Sequence, residues 1–392
     1  MILLKKIAKT IIMMNIFTSK KTIFLLFFLS FFNAFWAQNI QLSKDATVSV
    51  ITCGVGNESY SLFGHTAIRI KDNTNFVDAV YNYGAFDFNT PNFVPKFAKG
   101  DLQYFAVVSP YTDFINQYTY ENRSVDEQQL NIPLELKQQL FENLNNSLAS
   151  GDSHYTYKFI DKNCTSMVVD IINKTLGASV ITKKTDTELS YRSILYPYFD
   201  NHFYEKLGTS IIFGPKVDAM GTKLFLPLEL QKSLKLIQYK NQALAPKNQT
   251  ILHFEESHPG SWWNNIYSYL ISLALLVILN KKGIHYFYFS LMGILGLFFL
   301  FIGFYSDHLE LANNYNVLLF NPALLILCFF YGTKNKAWIY KLSIFNLFCL
   351  LIYLVILINK AHLFIVLPLI VTSAYFLIQL ALKNKKAIPI II

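Results

Sequence analysis

Two side chains in this sequence lie where cysteine-nucleophile chemistry could be done. Cys164 sits in Asp161-Lys162-Asn163-Cys164-Thr165-Ser166, just ahead of Met167-Val168-Val169-Asp170-Ile171-Ile172-Asn173-Lys174, which reads as a helix. A cysteine at the first turn of a helix feels the positive end of the macrodipole and the unbonded backbone N–H groups there, and both favour thiolate over thiol. His65 sits in Leu62-Phe63-Gly64-His65-Thr66-Ala67-Ile68-Arg69-Ile70, whose second half alternates apolar and polar like a half-buried strand. An imidazole presented from a strand can take a thiol's proton and return it to a leaving group. The plain alternatives are a small core cysteine and a hydrogen-bonded strand histidine. Cys53 adds another, a structural Cys53–Cys164 disulfide, because the domain is expected in an oxidising compartment.

The elements that must position this pair are legible as patterns. Thr47–Thr52, Thr66–Ile70, Phe76–Tyr83 and Leu102–Val108 alternate as strands of an antiparallel sheet, punctuated by Gly54 and Gly56, Asp72-Asn73 and Thr90-Pro91. Pro110–Tyr120 and Leu134–Ser150 read as helices, the second with Leu136, Leu140, Leu144 and Leu148 at helical spacing. Strands dominate before Cys164 and its helix follows them, so the domain is expected to be α+β.

Composition divides the chain. Of 392 residues 53% are hydrophobic, and the mean hydropathy of +0.31 is too high for an ordinary soluble protein. The excess is uneven: residues 38–258 read as a soluble domain and residues 259–392 as a multi-span membrane domain, with 1–37 as a signal peptide or N-terminal anchor. The leader has lysines (Lys5, Lys6, Lys9, Lys20, Lys21), an apolar run from Thr22 and a candidate cleavage after Ala37, so the domain that follows is exported. After Trp262-Trp263, five apolar segments are placed near 264–280, 284–304, 317–332, 338–358 and 362–382. Lysines at 281–282, 334–341 and 383–386 put those ends in the cytoplasm, so the soluble domain faces the periplasm from a bacterial inner membrane. The net charge of +9 reports this topology rather than a nucleic-acid partner. No metal-ligand spacing, glycine-rich phosphate loop or internal repeat is evident, so neither metal nor cofactor is expected. A second polar stretch, Ser306-Asp307-His308-Leu309-Glu310 through Asn313-Asn314-Tyr315-Asn316 to Asn321-Pro322, should face the soluble domain, either marking a substrate path or serving as a solvated connector.

His on a strand before Cys on a helix is the reverse of papain's order, and a circularly permuted papain-like fold supplies it, as in NlpC-related amidases and the lecithin:retinol acyltransferase group. The stretch from about Val48 to Gly177 resembles the N-terminal periplasmic domain of Lnb, a bacterial membrane protein family. The resemblance rests on Phe63-Gly64-His65-Thr66-Ala67-Ile68-Arg69, Tyr81-Asn82-Tyr83-Gly84-Ala85-Phe86-Asp87-Phe88, Arg123-Ser124-Val125 with Gln128, and Asn163-Cys164, together with the His308 to Pro322 loop. It implies a thiol site with Cys164 and His65 in the matching positions, and N-acylation of the diacylglyceryl cysteine that begins each lipoprotein. A phospholipid would then be the acyl donor, with lipoproteins and membrane lipids as partners. Asn82 on the neighbouring strand is the candidate to fix the imidazole tautomer. Arg123, Tyr83, Asn163, His308, Asn314 and Asn316 are candidate substrate contacts. The competing readings are a membrane-tethered cysteine hydrolase, whether peptidase or peptidoglycan amidase, and a disulfide-bridged binding module.

Overall fold

A computed structural model describes residues 40–58, 60–255 and 260–385. The leader expected over 1–37, Lys386 and the boundary at 258/259 lie outside the described residues. The soluble half is built on one sheet of seven strands in the order β6-β4-β3-β2-β1-β5-β9, every neighbouring pair antiparallel. Its strands are β1 Thr47–Cys53, β2 His65–Asp72, β3 Val77–Ala85, β4 Gln103–Pro110, β5 Val125–Gln129, β6 Tyr155–Thr156 and β9 Asn248–Leu252, with β7 Gln238–Tyr239 and β8 Gln242–Ala243 forming a separate hairpin. The helices of this half are α1 Phe93–Lys99, α2 Tyr111–Tyr120, α3 Leu134–Ser150, α4 Cys164–Leu176, α5 Tyr191–Leu195, α6 Phe203–Ile212 and α7 Pro227–Leu234.

The two-residue period of each strand splits its side chains between two cores. On one face Val48, Val50, Ile68, Ile70, Tyr81 and Tyr83 pack against Leu140 and Leu144 of α3 and Val168 and Ile172 of α4. On the other, Ile51, Cys53, Ala67, Val80 and Val125 lie under Phe114 and Tyr118 of α2. Among the charged groups on that face, Arg69 is 7% exposed. Its guanidinium lies 3.2 Å from the centre of the Tyr111 ring and binds Asp78 at 2.7 Å and Glu127 at 2.8 Å, so its burial is compensated.

The membrane half comprises α8 Ile266–Leu279, α9 Lys282–Tyr305, α10 Ala323–Gly332, α11 Lys336–Leu357 and α12 Leu363–Asn384. Of the five segments expected to cross, four give helical stretches of 18 residues or more, namely Lys282–Tyr305, Tyr315–Gly332, Lys336–Leu357 and Leu363–Asn384. The first falls short: α8 has 14 residues, about 21 Å at 1.5 Å per residue, against a hydrocarbon core of about 30 Å. The span count by length is therefore four rather than five. The reason is local, since Asn265 caps the start of α8 through the Ser268 N–H and Asn280, in the left-handed region, ends it. The apolar count had included both asparagines.

The halves are joined by buried polar contacts. Leu207, Ile211 and Ile212 of α6 pack on the membrane core, and Asn314 donates to the carbonyls of Ile211 and Ile212 at 2.9 Å each. Arg192, 1% exposed, binds Asp218 at 2.7 Å and the carbonyls of Ser210 and Phe213. The Tyr315 hydroxyl closes on the other Asp218 oxygen at 2.5 Å.

One close approach inside the membrane half yields a test. A methyl group on Gly296 of α9 would lie 1.6 Å from the Phe320 carbonyl oxygen, whereas one on Gly283 would meet nothing within 4 Å. Gly296→Ala is expected to cost about 2–3 kcal/mol and to lower the thermal midpoint of the full-length protein in detergent by roughly 5 °C. Gly283→Ala should not lower it; an unchanged midpoint for Gly296→Ala would show that α9 and this carbonyl are not in contact.

Candidate functional site

Asn163 is the N-cap of α4, and its placement explains how Cys164 comes to head the helix. Its Oδ1 accepts from the Ser166 N–H at 3.1 Å, while Ser166 Oγ accepts from the Asn163 N–H at 2.8 Å, a reciprocal capping box. Asn163 Nδ2 donates to the carbonyls of Phe159 and Phe225 at 2.8 and 2.9 Å, which anchors the turn before the helix. One residue beyond Cys164, the hydroxyl of Thr165 lies 3.0 Å from that of Thr66, one residue beyond His65, and both are fully buried. The start of α4 is thereby pinned over the start of β2, and Cys164 Sγ is hydrogen-bonded to the His65 ring. Gly84 of β3 keeps the space between them open. A methyl group there would lie 3.6 Å from Cys164 Cβ and 4.0 Å from His65 Cε1, and its φ of +112° belongs to the glycine region.

The ring is held on its other edge. Asn82, next but one before Gly84 on β3, presents Oδ1 to His65 Nε2 at 3.3 Å. With the proton on Nε2, that contact keeps Nδ1 open to the thiol. Burial pushes the Cys164 thiol up, but the charge of His65, its hydrogen bond, the Thr66 backbone and the Thr165 hydroxyl together bring it below the ordinary thiol value. Cys53 is the opposite case. Fully buried beneath α2 and hydrogen-bonded to Tyr118, it is pushed up to about 12 chiefly by burial. Both cysteines are free thiols, and no disulfide joins them.

The remaining candidates divide. Tyr83 is 2% exposed, packed in the α3/α4 core and hydrogen-bonded to Ser147. Asn163 is spent on the cap. Arg123 is 6% exposed, donating to the Gly54 carbonyl at 2.9 Å and Glu121 at 2.8 Å with its guanidinium over the Tyr118 ring, so it braces the β1 end. Asn314 and Asn316 are buried: Asn316 donates to the Phe213 carbonyl at 3.2 Å and accepts from the Tyr353 hydroxyl at 2.5 Å, so both fasten the two halves together. Their amide nitrogens are committed to these backbone carbonyls. His308 is also buried, Nε2 on the Phe97 carbonyl at 3.0 Å, and burial pushes its imidazole down, so it is neutral at pH 7. Its loop does meet the soluble domain, with the Lys158 ammonium on the Asp307 carbonyl at 3.0 Å.

A residue not singled out from sequence stands near the thiol. Tyr155 of β6 is 3% exposed, and its hydroxyl has no hydrogen-bond partner among the described residues. That oxygen would lie 3.9 Å from the same methyl position on Gly84 that touches Cys164 and His65. A buried orphan donor beside a nucleophile is unusual enough to need a use. The only advance sign was the alternation Tyr155-Thr156-Tyr157 ahead of the cysteine turn. Among the described residues no group of His, Cys, Asp and Glu could hold a metal ion. The arrangement offers an activated thiol, an oriented base, and hydrogen-bond donors at a helix start, the equipment of acyl transfer through a thioester.

Comparison with known families gives two matches. Residues 32–196 match the Lnb N-terminal periplasmic domain, and residues 261–385 match the Lnb transmembrane domain. Cys164, His65, Asn82 and Tyr155 fall in the first match, and His308, Asn314 and Asn316 in the second. No curated protein and no solved structure matches the chain.

The electrostatics of the two thiols predict an alkylation pattern. In the folded protein Cys164 should react with iodoacetamide at a pH below that of an ordinary thiol, and Cys53 should stay unmodified at pH 8. His65→Ala removes the charge and hydrogen bond that lower the Cys164 value, so its midpoint should move up in pH. Site-resolved mass spectrometry reads this; an unmoved midpoint would mean that His65 does not act on the thiol.

Proposed function

The chain belongs to the Lnb family of membrane-associated lipoprotein-processing proteins, and on that premise we propose that it is a cysteine-dependent N-acyltransferase of bacterial lipoproteins. The observation that carries the proposal is the Cys164–His65–Asn82 chain at the start of α4, in a domain whose Lys158 meets the loop of the membrane half. In the first step His65 takes the Cys164 proton and the thiolate attacks an ester carbonyl of a phospholipid. The acyl C–O bond breaks, His65 returns the proton to the departing alkoxide, and a lysophospholipid leaves a thioester on Cys164. In the second, the free α-amine of a diacylglyceryl cysteine attacks the thioester. The C–S bond breaks, His65 removes the ammonium proton, and an amide forms as the thiolate is regenerated. The Cys164 N–H, free at the first turn of α4, and the Tyr155 hydroxyl are the donors we assign to the oxyanion of each tetrahedral intermediate.

The fold reading that goes with this is a permuted papain-like thiol domain on the periplasmic side of the inner membrane. Its support is the order of His65 on a central strand, then Asn82 on the next, then Cys164 at a helix start. A water-exposed site of this kind would hydrolyse its thioester unless the amine is positioned and water excluded. We assign that closure to the loop from Ser306 to Asn316, which is bonded to the soluble domain at Phe97, Ala98, Lys99 and Gly214.

Full-length protein incubated with phospholipid and a diacylglyceryl-cysteine peptide should yield triacylated peptide and lysophospholipid in equal amounts, read by mass spectrometry. Cys164→Ser and His65→Ala should each reduce the yield at least about 1,000-fold while the protein still inserts, and Asn82→Ala should reduce it less. Cys53→Ser should leave it intact. Free fatty acid with no peptide acylation, or cleavage of a peptide bond, would replace this reading with a tethered hydrolase.

A further inference from the structure

The soluble domain carries an apolar surface that its own fold does not use. In the turn before α1 Phe88 is 72% exposed, and on α1 Val94 and Phe97 are 71% and 46% exposed. This seven-residue helix buries no residue at all, and Lys96 and Lys99 occupy its last turn. Contiguous exposed apolar groups of this kind mark a contact surface. What they contact is indicated by where α1 is fastened. The Phe97, Ala98 and Lys99 carbonyls are bound by His308 Nε2 at 3.0 Å, Ser306 Oγ at 2.6 Å and the Asp307 N–H at 2.7 Å. Those three residues directly follow α9, whose 24 residues are long and apolar enough to cross a membrane. The last turns of α9 are themselves apolar and open, Phe301 at 60% and Phe304 at 90%. The α1 surface is thus continuous with a bilayer-facing one and lies within about a turn of its end, at headgroup depth.

From this surface an aromatic series runs inward to the thiol. Phe88 and Phe93 meet at 5.2 Å between ring centres, Phe86 and Phe88 at 4.8 Å, and Phe86 and Tyr104 at 5.1 Å. Tyr104 is 6.2 Å from Tyr155, whose orphan hydroxyl shares the Gly84 space with Cys164. We propose that α1 and the Phe86–Phe93 turn form a bilayer-docking surface through which a membrane phospholipid reaches Cys164 laterally, its acyl chain sliding along these rings. The identity of the arriving lipid as acyl donor rests on the acyl-transfer reading above, whereas the docking surface itself does not.

The experiment uses the full chain in phosphatidylethanolamine and phosphatidylglycerol vesicles, with the photoreactive benzoylphenylalanine placed at position 94, 97 or 76. Phe76 is 95% exposed in the turn joining β2 to β3, at the opposite end of those strands from His65. Lipid adducts are expected at 94 and 97 and not at 76; equal adduct at all three, or none at 94 and 97, overturns the docking surface. In the same vesicles, the Val94→Asp/Phe97→Asp double variant should form the Cys164 acyl-enzyme from phospholipid at least tenfold more slowly. Its acylation by the water-soluble ester p-nitrophenyl butyrate should stay within twofold of wild type. A phospholipid rate within twofold of wild type overturns the lateral path, and so does an equal loss with both donors. Lipid adducts from the protein labelled at 94, together with wild-type protein that takes no acyl group from phospholipid, retain the surface, overturn the delivery of a donor through it, and remove the acyl-transfer reading.

Discussion

The bond between the Thr66 and Thr165 hydroxyls, 3.0 Å long and sealed from water, is the contact on which the site depends. It joins the first turn of a helix to the first residues of a strand, and the two residues that matter chemically are the immediate neighbours of the bonded pair. A hydroxyl pair has short reach, so it fixes the relative height of α4 and β2 more tightly than apolar packing alone could. The Asn163 capping box fixes the remaining freedom, the rotation of the helix start. Register then propagates: β2 against β3 places Ala67 opposite Asn82, and the next facing positions bring Gly84 beside His65. A thiol, a ring and a carboxamide from three elements are aligned by hydrogen bonds that none of the three makes with a substrate.

The attachment of the two halves follows a different logic. It is carried by buried polar groups that a bilayer or an aqueous surface would each leave poorly satisfied. Asp218 is the hub, bound by Arg192 at 2.7 Å and Tyr315 at 2.5 Å, with His362 Nε2 3.3 Å from the Tyr315 hydroxyl. Burial and the nearby Arg192 charge push the His362 imidazole down to about 3, so it remains neutral at pH 7 and adds no second cation beside Arg192. Such a set gives one orientation rather than extra stability, because any slip would strand a charge in a dry interface. The thiol site is therefore held at a set attitude to the membrane helices.

How much of this was legible in the sequence follows from which signals are local. The four strands before Cys164 and the two helices around them were readable because each has an uninterrupted period against a core. Helix α3 begins where its pattern places it, and α4 begins at its Asn163 cap. Strands β5, β6 and β9 were missed for a physical reason: VDEQQ and NQTIL are polar segments recruited by pairing at the sheet's flanks, and β6 is two residues long. At the site, residue types and spacing singled out Cys164, His65 and Asn82, since each sits in a recognisable local frame. They could not separate a polar side chain facing substrate from one facing a carbonyl. In the fold Asn163, Arg123, Asn314 and Asn316 each bond a backbone carbonyl and Tyr83 bonds Ser147, while Tyr155, an orphan hydroxyl, can be found only once the chain is folded. The α8 error has the same root, because a hydropathy count cannot tell asparagines inside a span from asparagines that end it.

Strand β9 completes the sheet from far along the chain. It pairs with β5, and Phe254 just beyond it exchanges two hydrogen bonds with the Ser124 hydroxyl, at 2.9 and 3.0 Å. Among the described residues the next regular element is α8 at Ile266. An emerging chain that already holds β1 to β6 still has a bare edge on β5, and that edge is closed only when residues just short of the membrane have been delivered. Translocation order thus becomes folding order: the domain locks as its anchor arrives. The reach of the site above the membrane is then a constant of the molecule, set by the same five-residue strand that finishes its sheet.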